Sequence, residues 1–231
     1  WEIFLGQFFS RGRPSVHVVS DFTIPAIWKR YIFVDWGIAV PRAVYWAARP
    51  EGTNFIWLYR EQYGAGVPTR EQARVAAQAT RAGEEKIEMI VVDPAMFAKE
   101  HDADGNVMKS PADYWKEEFQ GIADVVRGNN ERIQGASLFR ECLDWTGIEG
   151  PDGVQIIVPP RLRVFRSCVN FIKTVPSLIH STQNVEDVDT DGDDHAYDSV
   201  RYGLRYLFAA PAKPQGMRVM DTPSGLVVIP A

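Results

Sequence analysis

The sequence predicts a mixed α/β domain built in layers. Three observations carry that reading. Apolar runs rich in β-branched and aromatic residues are interleaved with segments of helical periodicity. The first three runs are separated by short turns, as in an antiparallel meander. Two of the apolar runs, "RYIFVD" and "KIEMIVVD", end abruptly in an aspartate, as strands do where they leave a dry sheet for its rim.

The elements follow in order. Residues 1 to 30 read as irregular, with "SVHVV" as a short strand and Pro14 and Pro25 as breaks. "RYIFVDWG", "AVYWAAR" and "NFIWLYREQY" are the first three strands, and "PEGT" is a hairpin turn set by Pro50 and Gly52. "TREQARVAAQATRAG" is a helix, with Thr69 and Gln72 placed as in a capping box and Gly83 as its stop. "KIEMIVVD" is a buried strand that Pro94 ends. Residues 101 to 112 are a polar loop. "ADYWKEEF" and "NERIQGASLFRECLDW" are helices, the second with an apolar stripe of Ile133, Leu138, Cys142 and Trp145. "GVQIIV" is a fifth strand, and "RLRVFRSCVNFIKTV" and "DDHAYDSVRYGLRYLFAA" are helices. Residues 211 to 231 form a tail containing Pro and Gly. The expected sheet is mixed, with five or more strands and helices on both faces.

With 231 residues, 45% hydrophobic and 24% charged, the chain has the balance of a globular domain with a sizeable core. No apolar run approaches the roughly 20 residues of a membrane span. Cys142 and Cys168 make no disulfide framework and sit among apolar neighbours, as buried thiols. The net charge of −5 argues mildly against nucleic-acid binding, but it comes from one place. Residues 187 to 198, "DVDTDGDDHAYD", hold six aspartates and a histidine, and without them the chain would be near neutral.

That stretch has two readings. Asp187, Asp189, Asp191 and Gly192 fit the start of a calcium-binding EF-hand loop, with Asp198 at its twelfth position. Against it, "HSTQNVE" is a poor incoming helix, and Asp194 stands at an eighth position that is usually apolar. Weak calcium occupancy stays open. In the other reading, Asp193 or Asp194 caps a helix, while Asp198 lies a full turn inside, where capping does not explain it. Asp194, His195 and Asp198 then share a face. Asp35 and Asp93 either cap turns or face a ligand at the sheet rim. Arg161, Arg163, Arg166 and Lys173 are either phosphate contacts, with Arg166 and Lys173 seven apart on one helix face, or a solvated surface. Arg201, beside the acidic helix start, is the better phosphate candidate, or the partner of its neighbouring aspartates.

"FVDWG", "VVDPAMF" and "DDHAYDSVRYGL" together resemble the three acidic motifs of the nuclease domain of tailed-phage large terminases. The resemblance spans about residues 20 to 210. It implies an RNase H-like fold of the RuvC type and two-metal hydrolysis of double-stranded DNA with Mg²⁺ or Mn²⁺ during viral genome packaging. It implies that Asp35 bridges two ions, that Asp93 and Asp198 each bind one, and that Asp194 and His195 support them. The family's second position is often Glu, so Asp93 has an arm one methylene shorter. Residues 1 to 20 would lead in from an ATPase domain absent from this chain, which carries no Walker A motif. The implied partners are DNA, the portal protein and the small terminase subunit, at the procapsid in the host cytoplasm. The alternatives are a RuvC-like junction resolvase, a portal-docking module without catalysis, or a calcium-binding module.

Overall fold

A computed structural model describes residues 6–83, 85–99, 101–102, 104–150, 153–208, 217–222 and 225–230. Helix α1 (Pro14–His17) leads into β1 (Val18–Val19). Strands β2 (Lys29–Asp35), β3 (Arg42–Arg49) and β4 (Ile56–Gly64) follow, with Gly52 at φ 70° in the turn between the last two. Next come α2 (Thr69–Ala82), β5 (Ile87–Val92), a 3₁₀ turn (Pro94–Phe97), α3 (Pro111–Glu118), β6 (Val125–Arg127) and α4 (Arg132–Leu143). After β7 (Thr146–Gly150), β8 (Gly153–Val158) and β9 (Leu162–Phe165) come α5 (Val169–Thr174) and a 3₁₀ turn (Val175–Ser177). The last elements are α6 (His195–Phe208) and an antiparallel pair, β10 (Met217–Thr222) and β11 (Gly225–Pro230).

The main sheet has seven strands in the order β1-β9-β4-β3-β2-β5-β6. The first three long strands form the expected antiparallel meander. β5 and β6 extend it in parallel from β2, and β9 and β1 extend it in parallel from β4, so β3 alone runs against the rest. Side chains alternate across the pleat. Tyr31 and Phe33 of β2, Ala43 and Tyr45 of β3, and Met89 and Val91 of β5 face α4, α5 and α6. Ile32, Val34, Val44, Trp46, Ile90 and Val92 face α2 and α3 on the other side. Each large side chain buried this way contributes about 1.5–3 kcal/mol.

Helix α6 packs across β2, β3 and β5. It lies so close that a Cβ on Gly203 would sit 2.3 Å from the Phe33 ring. Among the described residues no helix is long and apolar enough to cross a membrane.

The structure corrects several expectations. "GVQIIV" forms a separate hairpin with β7, and its place in the sheet is taken by β9, β6 and β1. "RLRVF" is strand, not helix: Leu162 and Val164 point inward while Arg163 points out, a period of two, and the helix is only Val169–Thr174. Arg166 therefore lies in the connecting turn and shares no helix face with Lys173. Thr69 does not cap α2. Pro68 holds the N-cap position, Thr69 accepts from the Trp36 indole, and Gln72 reaches the carbonyls of Gly37 and Val67. A capping box occurs instead at α3, where Ser110 and Asp113 bond reciprocally. Ile133 is exposed, and α4 buries Ala136, Phe139 and Cys142. Within residues 6–20, Phe8 and Phe9 are buried in the core and β1 is an edge of the sheet. Residues 1–5, and 211–216, 223–224 and 231 of the tail, lie outside the described residues.

An exposed helical Gly→Ala change stabilises by roughly 1 kcal/mol. Gly203→Ala should do the opposite, because the Phe33 ring cannot withdraw from a fully buried position. A loss of about 1–3 kcal/mol is expected from overpacking. Thermal or urea unfolding measures it, and an unchanged or raised midpoint would contradict the close packing.

Candidate metal centre at the sheet rim

Parallel pairing aligns Val34 with Val92, so Asp35 and Asp93, one residue further along, leave the sheet side by side on adjacent strands. The Asp93 N–H donates to the Val34 carbonyl at 2.9 Å, which holds this register to the rim. By alternation both side chains fall on the α6 face, with Phe33 and Val91. Asp35 also pairs with Ala43, and Ala43 with Tyr63. Asp93, Asp35, Ala43 and Tyr63 thus form a row across β5, β2, β3 and β4. Asp93 does have a turn role as well, since its Oδ1 accepts from the Ala95 N–H at 2.8 Å and caps the 3₁₀ turn.

Over this row lies the start of α6. Gly203 sits on Phe33, and the helix runs back toward the end of β2, so its first turn overhangs Asp35. The Nδ1 of His195 is 2.9 Å from the Asp35 Oδ2. Asp194 precedes the helix, and its carbonyl accepts the Asp198 N–H. The Asp193 carboxylate accepts from the Tyr63 hydroxyl instead of capping. Asp198 is held by two guanidinium groups: Arg201 Nε donates to its Oδ1 at 2.9 Å, and Arg132 Nη1 to its Oδ2 at 3.3 Å. Arg132 also binds Asp187 at 2.9 Å and lies 3.7 Å from Asp194. No helix leads directly into residues 187–198: residues 178–194 hold turns and isolated bridges, so the segment lacks the incoming helix of an EF-hand.

The electrostatics are those of crowded acids. Burial, reinforced by the Asp198 and Asp93 charges, pushes the Asp35 carboxyl up to about 7, against the opposing pull of His195. Burial also raises Asp93, with Asp198 adding to it. Asp194 is pushed up to about 6 by burial and then by Asp198. His195 is raised, chiefly by its bond to Asp35. A divalent cation would relieve this repulsion, and hard carboxylate oxygens suit Mg²⁺ or Mn²⁺. The donor chemistry fits. Among the described residues, however, no three carboxylate, imidazole or thiol groups are drawn close enough to hold an ion as they stand. The oxygens of Asp198 are occupied by Arg132 and Arg201.

The basic residues fall between the two readings that the sequence leaves open for them. Arg201 is fully buried, with Nη2 donating to Asn130, and its stem fills the space above Gly135, where a Cβ would come within 2.7 Å. It is a partner of Asp198 and is closed to a DNA phosphate. Arg163 is level with Trp57, Ala48 and Arg30, the far end of β2 from Asp35, about 17 Å away along the strand. Its guanidinium lies over Trp57 and Phe55, and Arg161 pairs with Glu141. Arg166 and Lys173 are exposed. The residues missed in the sequence are Arg132, Asn130 and Tyr63, which lie outside the three acidic motifs and join the site only through the fold.

No family model and no curated protein matches the sequence. The fold, in contrast, matches solved structures of phage terminases. The large terminase of a thermophilic bacteriophage superposes with a TM-score of 0.65 at 15% identity, covering 89% of this chain and 47% of that one. The chain therefore spans about half of that protein's length. The nuclease domain of the bacteriophage P22 large terminase gives 0.63 at 15% identity, covering 88% of this chain and 93% of that one. The nuclease domain of the bacteriophage SPP1 large terminase, with bound Mn, gives 0.55 at 13%, covering 84% and 97%. The mixed sheet with its flanking helices is thus the RNase H-like fold of terminase nuclease domains.

The raised acids set a pH dependence. Between pH 3.8 and about 7 the folded chain keeps a proton on Asp35 that the unfolded chain has lost. Metal-free stability should therefore fall as the pH rises through that window. The raised His195 acts in the same sense, its contribution being present at low pH and lost above its folded value. Asp35→Asn should raise the metal-free melting temperature at pH 8 by about 2–6 °C and change it little at pH 4. Melts across the pH range check this. A lower melting temperature at pH 8 would mean that Asp35 is stabilised as an anion.

Proposed function

We propose that this chain is the nuclease domain of a phage large terminase and that it cuts double-stranded DNA when genome packaging starts and ends. The observation that carries the reading is the placement of Asp35 and Asp93 side by side just beyond the paired Val34 and Val92, beneath the start of α6 with Asp194, His195 and Asp198. The shared fold of the P22 and SPP1 nuclease domains supports it, as does the Mn bound in the latter.

Asp35, Asp93 and Asp198 would hold two Mg²⁺ or Mn²⁺ ions, with Asp194 and His195 in support. Bound there, the ions would supply a deprotonated water and stabilise the leaving 3′-oxyanion. The chain's own groups set the conditions. Asp35 would hold an ion through a carboxylate whose Oδ2 is already positioned by His195 Nδ1 at 2.9 Å. Asp93 is fixed by the Ala95 N–H, which leaves its second oxygen for an ion. Arg201, buried behind Asp198, orients the carboxylate from Oδ1. The remaining partners in this reading are an ATPase domain, the portal protein and the small terminase subunit, at the procapsid in the host cytoplasm.

The test is nicking of supercoiled plasmid. Cleavage should require a divalent ion and be faster in Mn²⁺ than in Mg²⁺, since Mn²⁺ tolerates imperfect coordination geometry. Outer-shell groups of metal sites are worth about 10–100-fold, so Asp35→Asn and Asp198→Asn should each cost at least about 100-fold. Asp189→Asn should keep most activity, because that side chain only accepts from the Asp191 N–H. Full activity in Asp198→Asn would remove the proposed site. Preference for a four-way junction over linear duplex would assign the chain to the resolvases instead.

A further inference from the structure

Arg132 is the first residue of α4, where the positive end of the helix dipole disfavours a cation. Something must offset that position, and three carboxylates do. Its Nε donates to Asp187 at 2.9 Å, Nη1 to Asp198 at 3.3 Å, and Nη2 lies 3.7 Å from Asp194. These acids come from the loop before α6 and from the helix itself, so one guanidinium ties the acidic segment to α4. The contact is not a matched fork: Nη2 is buried without a hydrogen-bond partner. The two arginines on Asp198 also differ in freedom. Arg201 is fully enclosed, whereas the side chain of Arg132 is 26% exposed. Only Arg132 has room to leave Asp198.

We propose that Arg132 is a positioning residue that stands in for a cation against Asp187, Asp194 and Asp198 and is displaced from Asp198 when a divalent ion binds. This rests on the reading of Asp35, Asp93 and Asp198 as ion ligands. Arg132 keeps the acids assembled while no ion is there, and sets a threshold that the ion must exceed. A divalent ion delivers twice the charge to the same oxygens at shorter range.

The test is Mn²⁺ titration of the wild-type chain, Arg132→Gln and Arg132→Lys by calorimetry, with circular dichroism to confirm folding. Arg132→Gln should bind Mn²⁺ roughly tenfold more tightly, the worth of one charge-assisted hydrogen bond. Arg132→Lys, which keeps the charge but not the three-way reach, should fall between. A staple with a purely structural role would loosen the site and weaken binding. In the wild-type chain, where no variant has to fold, ¹⁵N spectra of the arginine side chains should show the Arg132 signals shifting on addition of Mg²⁺ while those of Arg201 stay. Equal or weaker binding by a folded Arg132→Gln, or static Arg132 signals while Mg²⁺ binds, would overturn this role and leave the nuclease reading intact. Absence of binding by all three proteins would overturn both.

Discussion

The contact between Gly203 and Phe33 is the constraint from which the site follows. A helix normally stands off a sheet by the thickness of the side chains that fill the gap. Here the missing side chain lets α6 come down onto the centre of β2. That sets the height and direction of the helix, and its first turn then overhangs the ends of β2 and β5. If α6 were lifted by a single methyl group, the pairing of His195 with Asp35 would stretch past hydrogen-bonding distance. Backbone proximity in the middle of the domain therefore decides which carboxylates meet at its rim.

What meets there is an excess of negative charge in a poorly hydrated place. The chain handles it in two ways. At the strand ends the acids hold protons more tightly, Asp35 most of all. On the helix side, two guanidinium groups compensate Asp198, one enclosed and one partly free. At Asp35 the only partner described is the His195 imidazole, whereas Asp198 has two permanent cations. Breaking a buried pair costs several kcal/mol, whereas exchanging one cation for another need not. In the proposed reading, a site of this kind would stay folded without an ion and still accept one.

Much of this could be read from the chain, and the limits have physical causes. β2, β3 and β4 are long enough, and their turns specific enough, for the meander to be plain. Asp35 and Asp93 were legible because an aspartate that ends a dry run is conspicuous. Two short strands were not. Val125–Arg127 offers too few residues for a period, and "RLRVF" was absorbed into the helix that follows its turn. Arg132 was illegible for a different reason. It belongs to a helix whose pattern says only that it is amphipathic, and its three partners lie 55 to 66 residues away. Arg201 was noticed, but sequence proximity to an acidic run does not say whether a side chain points out to a phosphate or inward to a carboxylate. Its burial above Gly135 decides that.

That last contact has a consequence for how the sequence can vary. The Arg201 stem occupies the volume that any side chain at position 135 would need. A larger residue there is admissible only with a shorter one at 201, and a shorter one at 201 strips Asp198 of its inner counterion. The two positions are therefore locked together across α4 and α6. With the arginine kept, alanine at 135 would require the enclosed Arg201 stem to move. Such a pair would mark descent in homologues too diverged for the rest of the sequence to be aligned.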